Sequence, residues 1–305
     1  MLEAQSKRYG ERAIKWSLAL CAALSVLTTT AIIVSLLGPT IGFFEVVPAG
    51  EFFFTFDWTP QFEPPSFGVL GIVAGTLNVV LWAMLLAIPL GLGAAVYLSE
   101  YASPRMRKLV KPALEVLVGI PTVAIGFFAV SFILPHVIVP LWPGDFLGGA
   151  EGKPFMALAA SMGIALMVVP IIASLSDDAM RAVPRGLHEG AYALGATKAK
   201  VATRVVFPAA LSGIVASVVL AISRAVGETM IVLLAAGSTP NPTVNPVESV
   251  QVMTSYIATT ATGDIATGSI DYDSVFAVGA LLFVMTLVMN VISIRLVRKY
   301  REVYD

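Results

Sequence analysis

The chain has 305 residues, of which 57% are hydrophobic and only 13% charged, with a net charge of -1 and a mean hydropathy of +0.85. That apolarity exceeds what a water-exposed globular surface carries, so lipid is the expected solvent for most of the chain. No nucleic-acid partner is indicated by such a charge balance, and the single cysteine, Cys21, excludes a disulfide framework or a cysteine-rich metal site.

The first apolar run, Ile14 to Leu37, has Lys7, Arg8 and Arg12 before it and Lys15 at its start. Basic residues before an apolar run imitate a signal peptide, and Leu18-Ala19-Leu20-Cys21 imitates a lipoprotein cleavage box. The run is 24 residues long, whereas a cleaved signal core is roughly 7 to 15. Leu20 is also too bulky for the position before a lipidated cysteine, so the run is read as a membrane span.

Further runs of spanning length are Val69 to Leu98, Ala113 to Leu134, Phe155 to Ser176, Ala209 to Ala236 and Val275 to Val297. Lipid cannot satisfy backbone amides, and these runs are far longer than barrel strands. The expected fold is therefore all-α: one polytopic bundle of six transmembrane helices. Pro89, Pro121 and Pro170 fall within spans and are expected to bend them. Gly38 to Ser66 and Gly237 to Ser274 are aromatic, acidic and proline-containing, with no helix or strand pattern. Gly152-Lys153 does not make a phosphate-binding loop, since Leu147 and Pro154 stand where Gly and Ser or Thr are required. His136 has no companion for a metal site, His188 is expected to be solvated, and Thr76, Asn78 and Ser131 either line a path or bond within the bundle.

Cations sort by loop. Four precede span one, four lie between spans two and three, five between spans four and five, and four at the C-terminal end, which is 17 of 19 on one side. The opposite loops hold Lys153 against Glu45, Glu51, Asp57, Glu63, Asp145, Glu151, Glu248, Asp264, Asp271 and Asp273. The positive-inside rule then places both termini in the cytoplasm of a plasma (inner) membrane protein.

Residues 177–208 form a cytoplasmic loop too long for a turn, and Leu187, Ala191 and Leu194 fall on one helical face, as in a short helix along the inner surface. Within it stand Glu189-Gly190-Ala191, Gly195 four residues later, then nine residues and Val205-Val206-Phe207-Pro208. This resembles the EAA loop of ABC importer permeases, written Glu-Ala-Ala, three residues, Gly, nine residues, Ile, any residue, Leu-Pro. Gly190, Val205 and Phe207 depart from that pattern. The resemblance implies that Glu189, Gly190, Ala191, Gly195 and Pro208 couple the spans to a separate cytosolic ATPase, which binds ATP and magnesium. This chain itself is then no enzyme and binds no cofactor.

Span five carries Arg224 and Glu228. A mid-membrane Arg costs roughly 2.5 to 3.5 kcal/mol, so such a residue is a functional candidate facing the bundle interior. Arg224 and Glu228 are four apart and so are expected to share a helical face and neutralise each other. Two readings stay open. Arg224 offers a guanidinium fork to a tetrahedral oxyanion while Glu228 holds or releases it, or the two form a permanent structural pair.

The string Arg224-Ala225-Val226-Gly227-Glu228-Thr229-Met230 resembles a segment of the PstC-type phosphate importer permeases. Supporting fragments are Gly75-Thr76-Leu77, Ile88-Pro89-Leu90-Gly91, Tyr97-Leu98-Ser99-Glu100-Tyr101 and Gly119-Ile120-Pro121-Thr122-Val123, and the similarity runs from about Phe67 to Val297. The resemblance implies inorganic phosphate as substrate, with Arg224, Glu228 and Thr229 on its path. It also implies a second, PstA-type permease, two copies of the ATPase and an extracytoplasmic phosphate-binding protein as partners, besides membrane lipid. Sulfate or molybdate import is the nearest alternative, and a proton-coupled secondary carrier the alternative of a different class.

Overall fold

The computed structural model describes residues 9–141 and 149–299. Lys7, Arg8, Asp145 and Leu147 of the sequence reading lie outside them. Among the described residues, five helices are long and apolar enough to cross a membrane, and a bent pair brings the count to six if it makes one span.

Two helices form the centre. α3 (Leu70–Val96) and α7 (Ala157–Arg181) run side by side in the same direction. Small residues let their backbones close up. A Cβ on Gly91 would meet Ile172 Cβ at 2.7 Å, and the Ser161 hydroxyl donates to the Val79 carbonyl at 2.9 Å. Around them pack Ala83, Ala87, Ile164, Val168 and Ile172, all fully buried. The opposite face of α3 shows Leu77, Leu81 and Leu85 at successive turns, each more than half exposed. That stripe suits lipid rather than water. α7 continues through Asp177 to Arg181, so the first residues of the expected loop are helical.

α11 (Leu211–Val226) lies against α7, with Ser176 and Ser217 hydrogen-bonded at 2.7 Å between them. α1 (Tyr9–Val46) is the peripheral helix, packed on α14 (Ile270–Lys299), and its Cys21 is exposed. At 38 residues α1 is about 57 Å long, well beyond the hydrocarbon thickness.

The third span differs from the reading of the sequence. Residues 104–118 form a separate amphipathic helix, α4 (Pro104–Val118), capped by the Ser103 hydroxyl and carrying no buried residue. The chain breaks at Gly119–Pro121. The spanning segment is then α5 (Thr122–Phe128), a π-helical stretch Ala129–Ile138 and α6 (Val139–Leu141). The expected span Ala113–Leu134 joined the apolar face of α4 to the first part of this segment. Pro121, expected inside a span, immediately precedes the first residue of α5, where its missing N–H costs nothing. Pro89 and Pro170 do lie inside α3 and α7.

The acidic end of the bundle, where the sequence showed no pattern, is ordered by aromatic packing. α2 (Ala49–Phe54) and a two-stranded hairpin, β1 (Trp58–Thr59) with β2 (Ser66–Phe67), cover it. Phe43, Phe52, Phe67 and Trp58 meet edge to face, and Trp58 stands perpendicular to Tyr256 at 4.9 Å. Tyr256 belongs to α13 (Met253–Thr262) and bonds Ser274 at the start of α14.

Candidate functional site

The helix expected across residues 209–236 is broken where its charges lie. α11 ends at Val226, Gly227 closes it, and α12 (Met230–Ala235) starts afresh after Thr229. Glu228 stands in the break, only 6% exposed. Its carboxylate accepts the amides of Met230 at 3.1 Å and Ile231 at 3.3 Å, two of the donors that the first turn of a helix leaves open. Its carbonyl accepts the Thr254 hydroxyl at 2.7 Å. The expected Arg224–Glu228 pair is therefore not formed, because the shared helical face ends at Gly227 before Glu228 is reached.

Arg224, in the last turn of α11, is exposed and has no hydrogen bond or ion pair among the described residues. Beside it the Ser223 hydroxyl donates to Asn290 Oδ1 of α14 at 3.0 Å. Thr229 is half-buried, its hydroxyl reaching the Gly227 carbonyl at 3.4 Å. A cation near a helix C-terminus is favoured by the backbone dipole, so the end of α11 suits Arg224 without supplying a counter-anion. Asn290 was missed in the sequence; an amide between Met289 and Val291 was its one signal.

At the basic end, α8 (Arg185–Ala193) carries Glu189 and Gly190 exposed on its surface. Leu187 and Ala191 pack on Met180, Val183 and Val201, binding the helix to the ends of α3 and α7. Gly195, at φ +79°, closes it. The Gly195 amide donates to Tyr192 O at 2.9 Å and the Ala196 amide to Ala191 O at 3.1 Å, the paired bonds of a Schellman ending. Leu194, expected on the packed face, is 89% exposed, because the helix ends one residue before it.

The chain then runs through α9 (Lys198–Val201), a π-helical turn Ala202–Val206 and α10 (Phe207–Ala209), which contains Pro208. It enters α11 at an angle of 72°. The knob formed by residues 185–208 thus runs into one bent segment, residues 198–226, which carries Arg224 near its far end.

His188 is not simply solvated. Its Nε2 lies 3.5 Å from the Glu100 carboxylate in the π-helical turn Tyr97–Tyr101 that ends α3. Lys198 sits 5.0 Å over the Tyr101 ring. Between these elements is a polar cavity of about 340 Å³ lined by Glu100, Arg181, Arg185, His188 and Glu189. Asp177, fully buried, accepts from Arg107 of α4 at 2.6 Å, and Lys111 reaches both Asp177 and Asp178. Thr76 accepts the Met253 amide and Asn78 donates to the Thr243 and Asn245 carbonyls, so both bond within the bundle. Ser131 bonds its own helix, and His136 stacks on Phe132.

Residues 87–302 match the family described as binding-protein-dependent transport system inner membrane component. A probable ABC transporter permease protein of Bacillus subtilis, YqgH, is 32% identical over 83% of this chain and 79% of its own. The phosphate transport system permease protein PstC of Haemophilus influenzae is 31% identical over 96% of this chain and 94% of its own. PstC 1 of Mycobacterium tuberculosis is 34% identical over 76% and 73% respectively. Among solved structures, a chain of a bacterial alginate ABC transporter in complex with its periplasmic protein superposes with a TM-score of 0.65 at 18% identity, covering 96% of this chain and 97% of that one. A chain of the MetNI methionine ABC transporter superposes at 0.56 and 18% identity, over 76% and 96%. At that identity the likeness is one of fold.

Proposed function

Because this chain belongs to the family of binding-protein-dependent transport system inner membrane components, we propose that it is the phosphate-translocating permease of an ATP-binding-cassette importer. The observation that carries the reading is Arg224, unpaired among the described residues, on the bent segment that the knob at residues 185–208 runs into. A planar guanidinium presents paired donors that match a tetrahedral oxyanion. The basic end faces the cytoplasm and holds both termini.

Glu189, Gly190, Ala191, Gly195 and Pro208 mark the surface that a separate ATPase grips. ATP and magnesium bind on that ATPase, present in two copies. A second, PstA-type permease completes the membrane part, and an extracytoplasmic phosphate-binding protein delivers substrate to the acidic end. Glu228 and Thr229 lie on the phosphate path as the break that ends α11 beneath α12.

Transmission follows from the lever. Arg224 is 13 residues beyond Leu211, where α11 leaves the 72° bend, or about 20 Å along the helix axis. A tilt of about 10° at the bend moves Arg224 by about 3 Å, enough to make or break a hydrogen bond. Closing of the ATPase on α8 thus reaches the anion site without any contact between them.

The test is reconstitution of the chain with the second permease, the ATPase and the binding protein in proteoliposomes. ATP-driven phosphate uptake, weakly competed by sulfate and molybdate, is expected. Stronger uptake of either competitor would reassign the substrate. Phosphate uptake by this chain alone on a proton gradient would overturn the importer reading in favour of a secondary carrier.

A further inference from the structure

We infer that Asn290 of α14, oriented by Ser223, is a second anion contact on the path beside Arg224. The inference rests on the phosphate reading and deepens it.

Asn290 lies in the apolar span Ile270–Arg295 and is exposed, among Leu287, Val288 and Val291. Those three neighbours are also exposed and would be indifferent to lipid. An amide is not, because its N–H donors in hydrocarbon find no acceptor. The face bearing Asn290 therefore meets something polar.

The hydrogen bond from Ser223 fixes what that is. Ser223 donates to Asn290 Oδ1 at 3.0 Å, which orients the amide, and the amide NH2 has no partner among the described residues. Two N–H donors without a partner offer themselves to an acceptor. Arg224, the next residue on α11, is likewise a pure donor, exposed and unpaired among the described residues. The two spans thus carry uncommitted donors at neighbouring positions, Arg224 one residue from the Ser223–Asn290 contact, a pattern that an oxyanion can use and a cation cannot. A neutral amide adds hydrogen bonds without adding charge, so it holds the anion without trapping it.

The test uses the whole complex in proteoliposomes, with ATP-driven uptake of radiolabelled phosphate and co-purification of the second permease measured in parallel. Asn290→Leu, which removes one hydrogen bond to a charged group, should slow uptake about tenfold or more while the complex co-purifies intact. Asn290→Asp should be at least as slow, because a carboxylate repels the anion. Ser223→Ala, which loses only the positioning bond, should slow uptake about fivefold. Wild-type uptake by both Asn290 variants overturns this inference and leaves the phosphate reading intact. Loss of the second permease on co-purification overturns it too, assigning Asn290 to the contact between permeases. No phosphate uptake by the wild-type complex overturns both readings together.

Discussion

Replacing Gly195 by alanine should loosen the end of α8 without touching any neighbour. The φ of +79° is in the left-handed region, and a Cβ there would meet nothing within 4 Å. The substitution adds no clash and costs only the left-handed conformation, about 1–2 kcal/mol. That cost falls on the bonds from the Gly195 and Ala196 amides to Tyr192 and Ala191. Exchange of amide hydrogens at 195 and 196 should accelerate about 5- to 30-fold. Gly190→Ala is the matched control, since Gly190 sits inside α8 with open space around it. There alanine contributes about 0.5–1 kcal/mol of helix stability, and exchange across α8 should slow about two- to fivefold. Hydrogen exchange read by mass spectrometry on the assembled complex measures both. Unchanged exchange in Gly195→Ala, or acceleration by both variants, would refute the Schellman account of the knob.

Glu228→Ala should destabilise the chain by about 1 kcal/mol through loss of the cap on α12, whereas Glu228→Gln, which keeps an acceptor oxygen, should import near the wild-type rate. A Glu228→Gln complex without uptake would make the charge, not the cap, essential. Arg107→Ala leaves the buried Asp177 carboxylate with only Lys111, at 3.6 Å, and should cost about 2–3 kcal/mol. Arg105→Ala, on the exposed part of α4, should stay within about 0.5 kcal/mol; thermal unfolding of the two variants would separate them, and equal melting temperatures would contradict the buried pair. Glu189→Ala should lower phosphate-stimulated ATP hydrolysis in the full complex, and an unchanged rate would remove Glu189 from the coupling surface.

Hydropathy located the bundle because lipid imposes one requirement along each span, and it failed where that requirement is met by two shorter helices. The apolar side of α4, with Leu114, Val116, Leu117 and Val118, runs on into Thr122–Phe128, so an averaged reading joins them across Gly119–Pro121. The Gly-Ile-Pro sequence was itself the break signal. Span five failed for the same reason. A four-residue spacing between Arg224 and Glu228 means a shared face only if Gly227 continues the helix, and here it ends it. An acidic residue two positions before Met230 was legible as the start of a new helix. The loop at 185–208 was read more fully, since Gly195 and Pro208 are local punctuation whose meaning does not depend on distant partners. His188 with Glu100, Arg107 with Asp177, Ser223 with Asn290 and Trp58 with Tyr256 all join residues at least 67 positions apart. No periodicity encodes such pairs.

The central claim is that an unpaired guanidinium near the end of α11 carries phosphate across, driven by an ATPase acting at α8. Uptake of radiolabelled phosphate by the reconstituted complex bearing Arg224→Ala tests it most directly. The complex should assemble and hydrolyse ATP while uptake falls to background. Uptake at the wild-type rate would contradict the account.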